Sequence, residues 1–199
     1  MRAPRALTAA AVIAAASLVS ACGSQPKHHA TGISGSGSAG AADANNNGNY
    51  VRAGPLTYQL QISRELNQYT PEDSGYLVGL PKSDSTLTPN QLWFGVFMYA
   101  KNETTRTLIT NNRFDIVDTQ GNVYHPIKLN SAINPYAWVP QSLAPGATEP
   151  NVNTTAGTGP TGGRLLLFKL NDSIYSNRPL TFEIYAAGQS KPSTVSLDL

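Results

Sequence analysis

Apolar and polar residues alternate without a fault from Leu56 to Ser63, with Leu56, Tyr58, Leu60 and Ile62 on one side. Period two is the signature of a half-buried strand. Gln91–Ala100 carries a different pattern. Leu92, Phe94, Val96 and Met98 point one way, while Trp93, Phe97 and Tyr99 point the other. Apolar residues on both faces, rich in aromatics, predict a strand at the centre of a sheet. Phe114–Thr119 and Val123-Tyr124, joined through Gln120-Gly121-Asn122, predict a hairpin. Further strands are expected over Arg164–Leu170, Pro179–Tyr185 and Thr194–Leu199. Thr70-Pro71-Glu72-Asp73 predicts one helical turn around 71–76, with Thr70 as cap, proline at the first position and acids in the first turn.

Short strands between Pro, Gly and Asn clusters, with hardly any helical periodicity, point to an all-β antiparallel β-sandwich. The strand near residue 95 is its expected centre. Residues 50–199 make one domain's worth of chain. The Pro/Gly/Thr-rich stretch 146–163 leaves its own strand pairing open, and its composition favours mobility.

The chain before residue 50 has a different character. Arg2 and Arg5 precede an apolar run from Ala6 to Val19, followed by Val19-Ser20-Ala21-Cys22. As a helix that run reaches about 21 Å, short of a hydrocarbon core roughly 30 Å thick. Charged start, apolar middle and small residues before a cut site describe a secretory signal over residues 1–21. Cys22 is the one cysteine of the chain. With the branched and small residues before it, it resembles the lipobox of bacterial lipoproteins, in which that cysteine becomes the lipid-carrying N-terminus. Two or more acyl chains on one residue anchor stably, since each buried methylene contributes about 0.8 kcal/mol. Residues 23–49 are almost entirely small or polar and bury too little to offset their ordering entropy. With Cys22 they form a tether over 22–49, of root-mean-square span about 26–31 Å.

Loss of Arg2 and Arg5 with the signal turns 14 basic against 12 acidic residues into 12 against 12. A neutral chain without a Lys/Arg cluster lacks the footprint of a nucleic-acid binder, so no nucleic acid is expected as a partner.

A resemblance to a family runs through residues 54–199. Leu92-Trp93-Phe94-Gly95-Val96 followed by Asn102, then Phe114–Asp118 with Gly121 and Tyr124, then Leu143-Ala144-Pro145-Gly146 and Leu165–Phe168, resemble the immunoglobulin-like domains of actinobacterial lipoproteins and secreted mycobacterial antigens. The resemblance implies an immunoglobulin-like β-sandwich without assigned catalytic residues. The long stretch 146–163 departs from the simplest form of the pattern.

Candidate chemistry is sparse. His28 and His29 sit together in the tether, where solvation rather than metal binding is the expected state. His125, before Pro126, is the one histidine of the domain and has no nucleophile elbow beside it. Asp115 and Asp118 are three apart, so on a strand they face opposite sides and do not converge. Copper electron transfer is counted out by the lack of a cysteine beyond Cys22. No catalytic, cofactor-binding or metal-ligating residue is assigned, and no cofactor is expected. Tyr136 and Trp138, between Pro135 and Pro140, are candidate partner-binding anchors; a plug for one end of the sandwich is the competing role.

These readings converge on a non-catalytic binding or scaffolding module, lipid-anchored on the extracytoplasmic face of the membrane. Its partner would be an envelope protein or wall polymer. Two rivals stay open: an envelope hydrolase with carboxylates from different strands, and a carrier of a small apolar ligand. Cys22→Ser is expected to move the protein from the membrane to the soluble fraction. Continued sedimentation of that variant with membranes would refute the anchor.

Overall fold

The computed structural model describes residues 43–45, 48 and 50–197. The signal, Cys22, His28, His29 and Leu199 lie outside the described residues. Thirteen strands are present among them: β1 (Asp43–Asn45), β2 (Tyr50–Ala53), β3 (Leu56–Leu66), β4 (Gln91–Lys101), β5 (Leu108–Ile109), β6 (Arg113–Val117) and β7 (Val123–Tyr124), then β8 (Pro126–Ile127), β9 (Ser142–Leu143), β10 (Thr148–Glu149), β11 (Arg164–Asn171), β12 (Leu180–Tyr185) and β13 (Ser193–Leu197). Two single-turn α-helices accompany them, α1 (Pro71–Ser74) and α2 (Thr155–Thr158), with 3-10 turns at Lys82–Asp84 and Asp172–Tyr175.

One sheet runs β1-β13-β12-β6-β7 and the other β2-β3-β4-β11-β8, with β10 also on β4. Apart from the parallel pair β1 and β13, the strand pairs are antiparallel. The spines β3-β4-β11-β8 and β13-β12-β6-β7 reproduce the two-sheet order of an immunoglobulin-like sandwich. A small β5–β9 ladder lies apart from both sheets.

The core forms where the alternating patterns require it. Leu92, Phe94, Val96 and Met98 of β4 meet Phe114, Ile116, Phe182 and Val195 of the facing sheet. Phe114 and Phe182 stack at 5.8 Å between ring centres. The other side of β4 is buried as well: Trp93 and Phe97 join Leu66, Tyr76, Leu165 and Leu167 in a second cluster on the outer face of the sheet. Gly95 belongs to this layer, and a Cβ there would come within 3.1 Å of both Leu66 and Leu165.

Ile62 departs from its expected face. The β3–β4 register shifts between Leu60 and Ile62. A bulge inserts one unpaired residue and reverses the alternation beyond it. Leu56, Tyr58 and Leu60 therefore enter the inter-sheet core, whereas Ile62 and Leu66 pack against the outer cluster.

The helical turn at 71–74 is also held differently from expectation. Thr70 makes no side-chain cap. Asp73 is buried instead, taking both guanidinium nitrogens of Arg64 at 2.5 and 3.1 Å and the Asn67 N–H at 2.8 Å. The Arg64 guanidinium holds the Asp73 carboxyl below the usual carboxylate range, against the opposing effect of burial. An ion pair reaching back to β3 replaces a local cap because it also docks the long connection onto the sheet.

The β6–β7 hairpin forms as expected, with Gly121 at φ 82°. Asp118 closes it, accepting from the backbone of Gln120 and Asn122 and from the Asn122 and Asn177 amides. Burial pushes the Asp118 carboxyl up, but these donors outweigh it and leave the group below its ordinary value.

Two segments are more ordered in their pairing than composition suggested. Asp43–Asn45, expected within the tether, runs beside Thr194–Ser196, so the boundary drawn at residue 50 falls between the first two strands. Stretch 146–163 contains β10, which continues the β11 side of β4, and α2 beyond it. Its base is closed by the buried Glu149–Arg164 pair at 2.5 Å, and Arg164 also donates to the Pro135 carbonyl. Gly163 follows at φ 87°, where a Cβ would lie 2.8 Å from the Met98 nitrogen.

Trp93 is 1% exposed. Trp93→Ala is expected to cost about 3–5 kcal/mol in chemical denaturation. A cost below about 1 kcal/mol would contradict the second cluster.

Candidate functional site

The open side of the sandwich arises from a change of sheet. β7 pairs with Ile116 and Val117 of β6, and two residues later β8 pairs with Leu167 and Phe168 of β11. The crossing occurs at His125-Pro126. A residue before proline is biased to extended backbone, and proline has no N–H with which to extend the β6 ladder. The β6–β7 ladder thus stops at Ile116, and the first half of β6 borders a gap.

That gap is a cleft of about 410 Å³ between β6, β8 and the 138–140 segment. Its apolar walls include Phe114, Ile127, Trp138 and Leu166, and its polar groups come from Asn112, Lys128 and Ser131. Lys128 is the charged residue among those that line it. A second, shallower hollow bounded by Leu80 and Pro81 shares Lys128, Leu129 and Ser131 with the first.

Trp138 is a wall of this cleft, half-buried and fixed on three sides. Its ring meets Phe114 edge-on at 5.4 Å and lies 6.2 Å from Tyr58. Its Nε1–H donates to the Asn111 carbonyl at 3.0 Å, while the Asn111 N–H donates to the Tyr58 hydroxyl at 2.8 Å. Burial pushes the Tyr58 phenol far above its ordinary value, so it stays neutral and available as that acceptor.

Tyr136 and Trp138 do not form a joint anchor. The intervening Ala137 bridges to Leu165, flanked by Leu165 N–H to Tyr136 O at 2.7 Å and Trp138 N–H to Leu165 O at 2.9 Å. Extended residues alternate in direction, so the rings separate. Tyr136 packs on Tyr76 at 4.7 Å in the outer cluster, and Trp138 packs on the inter-sheet core. The segment is set by Asn134, fully buried, whose amide donates to Tyr76 O and Val78 O and accepts from Tyr136 N–H. Of the two aromatics, Trp138 reaches the cleft.

The remaining chemistry gathers on the outer face of the five-stranded sheet. Asp115 is opposite Glu183 in the β6–β12 register, the cross-strand arrangement that a two-carboxylate hydrolase would use. Both carboxylates are already engaged. Asp115 is buried and lies 2.5 Å from Nδ1 of the exposed His125, and Glu183 accepts from the Tyr185 hydroxyl at 2.5 Å. That bond and burial push the Tyr185 phenol up to about 12, and Arg113 lies 3.9 Å over its ring. Asp118 has separate partners in its hairpin, away from this pair. Among the described residues no group of three His, Cys, Asp or Glu side chains is placed to hold a metal.

No family model matches the chain, and no protein with a curated description matches its sequence. Solved structures with a similar arrangement do exist. The yjhA protein of Bacillus subtilis is 13% identical, matching over 77% of this chain and 99% of its own, with a TM-score of 0.46. An uncharacterised β-sandwich protein of Clostridium difficile 630 is 10% identical over 82% of this chain and 100% of its own, with a TM-score of 0.42. The ycdA protein of B. subtilis, provisionally described as a lipoprotein, is 11% identical over 75% of this chain but 38% of its own, with a TM-score of 0.45. At these values the likeness bears on neither site nor activity, and the sandwich stands on its own strand order.

Trp138→Phe keeps an aromatic ring at this position but trims the indole and deletes its N–H bond to Asn111. It is expected to lower stability by about 1 kcal/mol in a denaturant titration. An unchanged midpoint would mean that the indole is not fixed as described.

Proposed function

We propose that this protein is a non-catalytic binding module of the cell envelope. A lipid on Cys22 holds it outside the membrane, and the edge cleft is its contact site. The observation that carries this reading is the cleft itself. Its size falls in the range of small-ligand sites, and its lining combines apolar residues with Asn112, Lys128 and Ser131. Its aromatic walls are held by ring contacts and a hydrogen bond, so little ordering is left to oppose binding. The lipobox-like segment and the motifs resembling actinobacterial immunoglobulin-like lipoproteins support the extracytoplasmic placement.

Hydrolysis is the weaker reading, because the Asp115 and Glu183 carboxylates are tied to His125 and Tyr185. A buried carrier cavity is also less favoured, since large side chains from both sheets fill the inter-sheet core.

Photo-crosslinking in intact cells tests the assignment. A small aliphatic-diazirine amino acid at Asn112 or Ser131, compact enough to leave the cleft open, is expected to give a discrete adduct, whereas the same group at Thr181, on the far sheet face, gives none. Adducts from Thr181 alone would overturn the cleft as the contact site. Hydrolytic activity abolished by His125→Ala would overturn the non-catalytic reading.

A further inference from the structure

Within the cleft, the distribution of charge narrows the class of ligand, and this step rests on the cleft being the binding site. We infer that it takes a small carboxylate monoanion with a compact, flat apolar body, the carboxylate lying against Lys128 and the body against Trp138 and Ile127.

Lys128 is exposed at the rim and forms no ion pair among the described residues. No acidic side chain lines the cleft with it. A lone ammonium at the rim of a cleft lined by no acid favours an anion and disfavours a cation. A single lysine supplies one positive charge. A phosphate dianion is better matched by several basic groups or the paired donors of arginine. Asn112 and Ser131 add an amide and a hydroxyl, neutral donors suited to a carboxylate oxygen.

The opposite end selects shape. Phe114 is buried and backs the half-buried Trp138 nearly perpendicular to it, at 82°, so the indole is held in one orientation towards the ligand. Pro126 and Pro140 add rigid rings to the same lining. A compact planar body gains contact with such walls without displacing them, and gives up little conformational entropy in doing so.

The lipidated full chain in nanodiscs, with empty nanodiscs subtracted, can be titrated with 2-naphthoate, neutral 2-naphthylmethanol and cationic 2-naphthylmethylammonium. Naphthoate is expected to bind most tightly. Lys128→Gln should weaken naphthoate by about threefold to fivefold, the scale of one exposed charge contact, and leave the alcohol unchanged. Ser131→Trp, which fills the mouth from an exposed position, should abolish both. If the alcohol binds as tightly as naphthoate and Lys128→Gln has no effect, while Ser131→Trp blocks both, the carboxylate class is wrong and the cleft reading survives. Preferred binding of the ammonium probe would overturn the class equally. If no probe binds, or Ser131→Trp changes nothing, the cleft reading falls with it. A peptide crosslinked at Asn112 in a yield that excess naphthoate does not lower would also exclude a small carboxylate.

Discussion

Burial of β4 on both faces is the constraint from which the remaining architecture follows. One face supplies the inter-sheet core through Phe94, Val96 and Met98, and the other supplies Trp93 and Phe97 to the outer cluster. A sandwich needs only the first. The second must be covered by chain that is not in either sheet, and the connections around Tyr76 and Leu129–Ala137 do so. Buried polar groups then hold these connections in place. Asp73 pairs with Arg64 on β3, and Asn134 ties the two covering segments together. Both are costly groups to bury unless satisfied, so each fixes one arrangement of the loop it carries.

The cleft is a consequence of that covering. Once Asn134 has directed the chain past Leu165, Trp138 is delivered to the edge where β6 loses its neighbour. The edge lacks a neighbour because β7 and β8 are one extended run divided between the sheets at His125-Pro126. Proline ends the first ladder, and the chain continues on the other sheet. Exposed strand edges are commonly kept short or interrupted; here the interruption also leaves a ligand-sized space walled by Phe114, Ile127, Leu166 and Trp138.

Much of the fold was legible in the amino-acid sequence because it depends on local periodicity. The doubly apolar strand, the Gly121 hairpin and the alternation in β12 and β13 are properties of short windows. Ile62 was misplaced because a bulge depends on the partner strand, and Leu56–Ser63 alternates as well with or without it. The short strand Asp43–Asn45 has a composition suited to a tether, and its pairing is nonlocal. Stretch 146–163 looks structureless until Glu149 and Arg164 are seen to close it. The candidate site was half visible: the aromatics near residue 137 stood out, but their assignment to opposite sides of β11 depends on one bridge at Ala137. Lys128 had no local signal, since a lone lysine gains meaning only from the neutral cleft beside it. The Asp115–His125 contact could have been suspected from the hairpin register, which brings residue 125 back beside residue 115.

Native mass spectrometry of the protein gently released from its own membranes addresses the central claim most directly. A small anionic molecule is predicted to accompany the unmodified chain and to be absent from Ser131→Trp. An identical adduct on both proteins, or one lost from a variant on the outer sheet face but retained by Ser131→Trp, would contradict the cleft as the place where this protein makes its contact.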